Sequence, residues 1–119
     1  MSVITEDYVC FETAKLLAKK SFDYSAEYES YYTLDGTIVY FKDNPQEVNI
    51  APRITLQMAM KWLRELHGLF IRITENMAGN IFEWSVYQKH YGCKASTYVE
   101  DSYEEAVETA IKYCLENLI

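Results

Sequence analysis

The sequence predicts an α+β domain. It reads as three helices and two β-hairpins in the order αββ-αββ(β)-α, with one antiparallel sheet and the helices on one of its faces. Three observations carry this reading. Apolar residues recur at helical spacing in three separate stretches. Asp35-Gly36, a preferred two-residue hairpin turn, sits between runs of β-forming residues. From Leu69 to Tyr87 the side chains alternate as a half-buried hairpin requires.

The first helix is expected over residues 6–20, with Tyr8, Phe11, Ala14, Leu17 and Ala18 on one face. Its start fits either Thr5 or the region of Cys10. Glu6 and Asp7 come early and Lys15, Lys19 and Lys20 late, as the helix dipole favours.

The stretch YESYYTLDGTIVYF follows, from Tyr28 to Phe41. A two-residue Asp-Gly turn sets Leu34 against Thr37, Tyr32 against Val39 and Tyr31 against Tyr40. Tyr28, Ser30, Tyr32 and Leu34 then share a core face with Val39 and Phe41. Glu29, Tyr31 and Thr33 share a wetter face with Ile38, Tyr40 and Lys42. Residues 43–54 contain both prolines and no clear period. They read as an irregular connection, the one place for a boundary within an otherwise single domain spanning 1–119.

The second helix is expected from Leu56 to His67, with Leu56, Ala59, Met60, Leu63 and Leu66 as its stripe and Trp62 at the border. Gly68 stops it in a left-handed conformation, and Leu69 folds back on it. In the second hairpin Leu69, Ile71 and Ile73 alternate with Phe70, Arg72 and Thr74. Beyond a tip at residues 76–80, Phe82, Trp84 and Val86 alternate with Glu83, Ser85 and Tyr87. Arg72 and Glu83 are placed to pair across the exposed face. His90 to Ser96 reads as a loop and Thr97 to Val99 as a short strand. Ser102 and Glu105 form a capping box for the last helix. That helix runs to about Asn117 on a stripe of Tyr103, Ala106, Val107, Ala110, Ile111, Cys114 and Leu118. The order helix, breaker, strand, turn, strand occurs twice, from Phe11 to Phe41 and from Leu56 to Tyr87.

The 119 residues fit one domain, and a hydrophobic content of 50% gives it a core and argues against disorder. A net charge of -7 argues against general affinity for nucleic acid or anionic membranes. The N-terminus lacks a secretory pattern, and no apolar run reaches the ~20 residues of a membrane span, so the expectation is a cytoplasmic protein. Cys10, Cys93 and Cys114 are odd in number and contain no C-x-x-C, so no disulfide framework is expected.

Tests for chemistry return little. His90-x-x-Cys93 is the one close pair of metal-ligand type, and it lacks converging partners. The same pair lacks an orienting group for nucleophilic catalysis. The four glycines are scattered rather than clustered around a phosphate. No catalytic residue, metal site or cofactor is expected. From Leu56 onward the element order is that of the double-stranded-RNA-binding domain. In that domain the last helix starts with lysines; here it starts with Asp101, Glu104, Glu105 and Glu108. Residues 100–119 hold six acids against Lys112 alone. The sign is inverted where phosphate would dock. A small basic group remains in Arg53, Lys61, Arg64 and Arg72.

FETAKLLAKKSFD, the tyrosine-rich hairpin, AP followed by LQMAMKWLRELHG, and the ending YEEAVETAIKYCLENLI stand in one order along nearly the whole chain. Together they resemble a family of small proteins from gut Bacteroides, their phages and their integrated elements. In that family a glycine follows the first helix and a threonine follows AP; here Ser21 and Arg53 stand there. The resemblance implies an accessory protein of phage or mobile-element type, and it implies no catalytic residues.

The functional expectation is therefore a non-enzymatic interaction protein with a protein partner, its own homodimer included. Tyr31, Tyr40, Trp62, Phe70 and Tyr87 are candidates for an exposed aromatic surface. One alternative is an acidic inhibitor that mimics nucleic-acid charge through Asp101, Glu104, Glu105 and Glu108. Another is single-stranded nucleic-acid binding on sheet aromatics.

Overall fold

The computed structural model describes residues 7–20, 22, 30–40, 51–76, 81–88 and 92–119. The class is α+β, and the chain divides into two compact units, Met1–Thr55 and Leu56–Ile119. Among the described residues the strands pair in two antiparallel sheets of three, where one sheet was expected.

In the first unit, helix α1 spans Phe11–Lys19, and Cys10 takes the N-cap position. Of the two starts the sequence allowed, the later is the real one. Thr13, Ala14 and Leu17 are buried. Strands β1 (Ser30–Tyr32), β2 (Ile38–Tyr40) and β3 (Ala51–Arg53) form a sheet in the order β2-β1-β3. Central β1 is buried along its whole length.

The β1–β2 register differs by one residue from the expected one. Ser30 faces Tyr40, Tyr31 faces Val39 and Tyr32 faces Ile38. The loop therefore has three residues, not two. The Gly36 amide donates to the Thr33 carbonyl (3.0 Å), the Thr33 amide donates to Thr37 (2.9 Å), and Gly36 carries φ +87°. This is a three-residue hairpin loop closed by a left-handed glycine. Side chains favour it. The Thr33 hydroxyl donates to the Asp35 carboxylate, and the Thr37 amide donates to the same oxygen across 3.1 Å. A slip of one residue exchanges the faces of a strand. Tyr31 and Tyr40 consequently lie on opposite faces, and Tyr31 is buried because both faces of β1 are covered. Tyr28, Glu29, Phe41 and Lys42 fall outside the described residues.

Part of the expected irregular connection is a strand. Residues 51–53 pair with β1, Tyr31 facing Pro52 and Ser30 facing Arg53. Proline is tolerated here because β3 lies at the sheet's edge. The chain before α1 also joins this edge. Val9 donates its amide to Ile54 (2.9 Å), and Tyr8 bridges to Thr55.

In the second unit, α2 (Leu56–His67) ends where the sequence placed it, with Gly68 at φ +65°. Strands β4 (Leu69–Asn76), β5 (Ile81–Gln88) and β6 (Gly92–Glu100) form a meander in the order β4-β5-β6. Helix α3 spans Tyr103–Tyr113 and continues as one wide π-helical stretch, Cys114–Leu118. Ser102 caps it, accepting from the Glu105 amide across 3.1 Å. Helix α3 packs across all three strands, and α2 packs on β4 and α3. The core is Leu56, Ala59, Leu63, Leu69, Trp84, Val86 and the inner face of α3 from Ala106 to Leu115.

Strand β6 is the main departure. A loop was expected from His90 to Ser96 and a strand of three residues after it. The strand has nine residues and begins at Gly92. Trp84 faces Tyr98 but Ser85 faces Ser96; Val86 faces Ala95 but Tyr87 faces Cys93. Two bulges thus add one residue each to β6, at Thr97 and Lys94, and erase its period of two. The two units share an opening order of helix and three strands. Their sheets differ, since the middle strand is β1 in one and β5 in the other.

Candidate functional site

Helix α2 carries two apolar stripes. The inner one is Leu56, Ala59 and Leu63, all buried. The outer one is Met58, Trp62 and Leu66, spaced four residues apart on one flank. Met58 is 43% exposed, Leu66 is 68% exposed, and Trp62 is half-buried against the edge of the His67 ring, with centroids 4.6 Å apart. Burial disfavours the charged form of His67 and lowers its pKa below the ordinary 6.5.

Leu66 was expected in the inner stripe, and the structure corrects this. The helix stops one residue later, and Leu69, fully inside, occupies the core position at that end. Lys61, Arg64 and Glu65 are exposed; Glu65 lies beside Trp62 and Lys61 beside Met58, whereas Arg64, two residues from both Trp62 and Leu66, points to the opposite flank.

The other expected aromatics scatter. Tyr31 is fully buried, Tyr40 is exposed in the first unit, and neither shares a face with the other. Phe70 and Tyr87 do come together, as cross-strand partners of β4 and β5. Phe70 is exposed and Tyr87 half-buried. Arg72 and Thr74, also exposed, continue that face along β4. Arg72 faces Ser85 and Glu83 faces Thr74, so Arg72 and Glu83 are diagonal neighbours on one face of the hairpin.

The acids gather at the start of α3. Asp101, Glu104 and Glu105 are exposed and Glu108 is half-buried. Tyr103 stands among them, 39% exposed, its ring edge-on to Phe82 at 6.3 Å. Acids in a first helical turn also suit the dipole.

Arg53 belongs to a different cluster. Its guanidinium lies 3.9 Å over the Tyr8 ring and donates to the Ser30 hydroxyl across 3.0 Å. It is therefore part of the packing of the first unit. Cys10 is exposed, with its sulfur 3.4 Å from the Thr13 hydroxyl. Cys114 is buried, and burial pushes its thiol up to about 12. A thiol so protonated is a packing group and a poor nucleophile. Among the described residues no group of three His, Cys, Asp or Glu side chains is placed to hold a metal ion. His90 lies outside the described residues. Among the described residues no helix is long and apolar enough to cross a membrane.

The second unit thus has the element order of a double-stranded-RNA-binding domain, now with a complete third strand. Topology alone carries no function. Comparison with family models, with curated proteins and with solved structures finds no match.

The outer stripe of α2 was missed in the sequence because Leu66 was assigned to the inner stripe, Trp62 was left at its border and Met58 was passed over. The usable signal was the spacing Met58, Trp62, Leu66 on a helix already supplied with Leu56, Ala59 and Leu63.

Proposed function

We propose that the chain is a small non-catalytic interaction protein of the cytoplasm, an accessory protein of phage or mobile-element type. It acts by binding another protein through the outer flank of α2. The observation that supports this reading is the exposure of Met58 and Leu66 on either side of Trp62, at the spacing by which a helix engages an apolar groove. Large side chains exposed singly are ordinary; three in register on one helix flank form a contact surface.

The test is capture from a host lysate with the tagged full chain, in wild-type form and as Met58→Glu/Leu66→Glu. Leu34→Glu is the control, since Leu34 is 76% exposed at a hairpin tip in the other unit. The expected result is a partner retained by wild type and by Leu34→Glu and lost by the double variant. A partner retained equally by all three places the contact elsewhere and contradicts the reading.

A second reading rests on the exposure of Asp101, Glu104 and Glu105 beside Tyr103. An acidic mimic of nucleic acid would use that surface against a basic host protein. Its binding would weaken steeply with salt and would survive Met58→Glu/Leu66→Glu.

A further inference from the structure

We infer that strand β2 pairs with the β2 of a second copy of this chain, antiparallel, across a two-fold axis at Val39. This rests on the first unit alone and is independent of the reading of α2. The phase of the hydrogen bonds carries it. In an antiparallel pair, successive residues turn their backbone groups alternately toward the partner strand and away from it. The Thr33 amide donates to the Thr37 carbonyl across 2.9 Å, so Thr37 turns inward to the β1 side. The register then turns Val39 inward as well, facing Tyr31, and turns Ile38 and Tyr40 outward. Among the described residues β2 pairs with β1 alone and is an edge of its sheet. The outward amides and carbonyls of Ile38 and Tyr40 form a row that another extended chain fits.

The opposite edge of the sheet is closed. Strand β3 carries Pro52, and beyond it Val9 donates its amide to Ile54 and Tyr8 bridges to Thr55. Edge strands are commonly guarded by proline, by charge or by a bulge. Ile38, Val39 and Tyr40 carry no charge and no proline, and their register with β1 has no shift. Ile38 is 44% and Tyr40 43% exposed, on one face. A second copy is the occupant that matches, because β2 is its own complement. With Val39 of one copy facing Val39 of the other, Ile38 of each copy faces Tyr40 of the other. Both members of each such pair turn their backbone groups toward each other, so each pair exchanges both of its bonds. Each pair also sets a β-branched side chain against an aromatic one, a favourable cross-strand combination. With one edge closed and one open, the pairing ends at two copies and does not run on into a fibre.

Two charged chains test the pairing and its register: Ile38→Lys/Tyr40→Lys and Ile38→Glu/Tyr40→Glu. Either chain with itself opposes like charges; the two together oppose unlike ones. Light scattering across a gel-filtration peak, loaded up to near-millimolar protein, gives the mass of wild type, of each charged chain and of their equimolar mixture. Circular dichroism first confirms that each is folded. The expected result is a two-chain mass for wild type at the highest concentrations. Each charged chain alone has a dissociation constant raised about tenfold or more, and the mixture regains the two-chain mass. Ile38→Pro removes an outward amide and spares the bonds to β1, as Pro52 does on the other edge, and is expected to give one chain. It carries the test if a charged chain is unfolded. Met58→Glu/Leu66→Glu is expected to leave the two-chain mass unchanged.

A one-chain mass for wild type at every concentration overturns the inference, and it leaves the α2 contact surface to the lysate experiment. A two-chain mass that persists in both charged chains and in Ile38→Pro overturns it, as does a mixture that stays at one chain. A two-chain mass lost with Met58→Glu/Leu66→Glu places the self-contact on α2 and overturns it as well.

Discussion

The Tyr32 hydroxyl donates a hydrogen bond of 2.6 Å to the carbonyl of Val9, twenty-three residues earlier in the chain. It pins the central strand of the first sheet to the segment that leads into α1. The same ring lies 5.6 Å from Phe11, so one side chain joins helix and strand twice. Tyr32→Phe keeps the ring and deletes the donor to a buried acceptor. The expected loss of stability is about 1–2 kcal/mol, read by chemical denaturation. A loss too small to measure means that the bond is replaceable by water.

Gly36 is held by two separate constraints. Its φ of +87° is one that side chains resist, and a Cβ there would stand 3.2 Å from Phe11 Cδ2. Gly36→Ala is expected to cost about 1–2 kcal/mol through the backbone, plus a steric part. Phe11→Ala removes the steric part only. In a double-mutant cycle the two changes should therefore couple, with Gly36→Ala costing less in the Phe11→Ala background. Full additivity contradicts the close approach.

Asp35 is fully exposed, yet its carboxyl is held below the ordinary 3.8 by hydrogen bonds from the Thr33 and Thr37 side chains and from the Thr37 amide. The charged form is favoured in the folded chain. Its stabilisation is present above pH 3.8 and is lost as pH falls through the folded value. Melting temperatures of wild type and Asp35→Ala should differ near neutral pH and converge below that point. An unchanged gap across the acid range contradicts this.

Cys114 behaves oppositely. Its thiol is neutral until about 12 in the folded chain and ionises near the ordinary 9.0 once unfolded. Folded stability is therefore whole below pH 9 and falls as pH rises beyond it. In a Cys93→Ser chain at neutral pH, a thiol reagent should modify Cys10 quickly and Cys114 only on unfolding. Fast modification of both contradicts the burial of Cys114.

Leu66 and Leu69 separate the two roles of the α2–β4 junction. Leu69→Ala is expected to cost about 2–5 kcal/mol, as for a buried leucine. Leu66→Ala should change stability by less than about 0.5 kcal/mol, as for a surface position. Equal costs would place Leu66 in the core.

Most of the helical structure was legible because its signals are local. Ser102 with Glu105 marked the start of α3, and Gly68 marked the end of α2. The hairpin around Asp35-Gly36 was legible, but its register was not. A left-handed glycine serves both two- and three-residue loops, and only the bonds of Thr33 and Thr37 to Asp35 distinguish them. That single residue put Tyr31 and Tyr40 on opposite faces, and the burial of Tyr31 comes from the cover on both faces of β1, which no local signal showed. Strand β6 was hidden because bulges at Lys94 and Thr97 broke its alternation. Strand β3 was hidden because it is short and contains Pro52. The acidic start of α3 was plain in composition.

The central claim is that the outer flank of α2 is a contact surface for another protein. Trp62 reports on that flank directly, since the other tryptophan, Trp84, is buried against Tyr113 at 5.5 Å. In a Trp84→Phe chain, acrylamide quenching of Trp62 would be measured with and without the partner captured from the lysate. Quenching should fall when the partner binds, and Leu66→Glu should abolish the change. Quenching that is the same with and without the partner would contradict the claim.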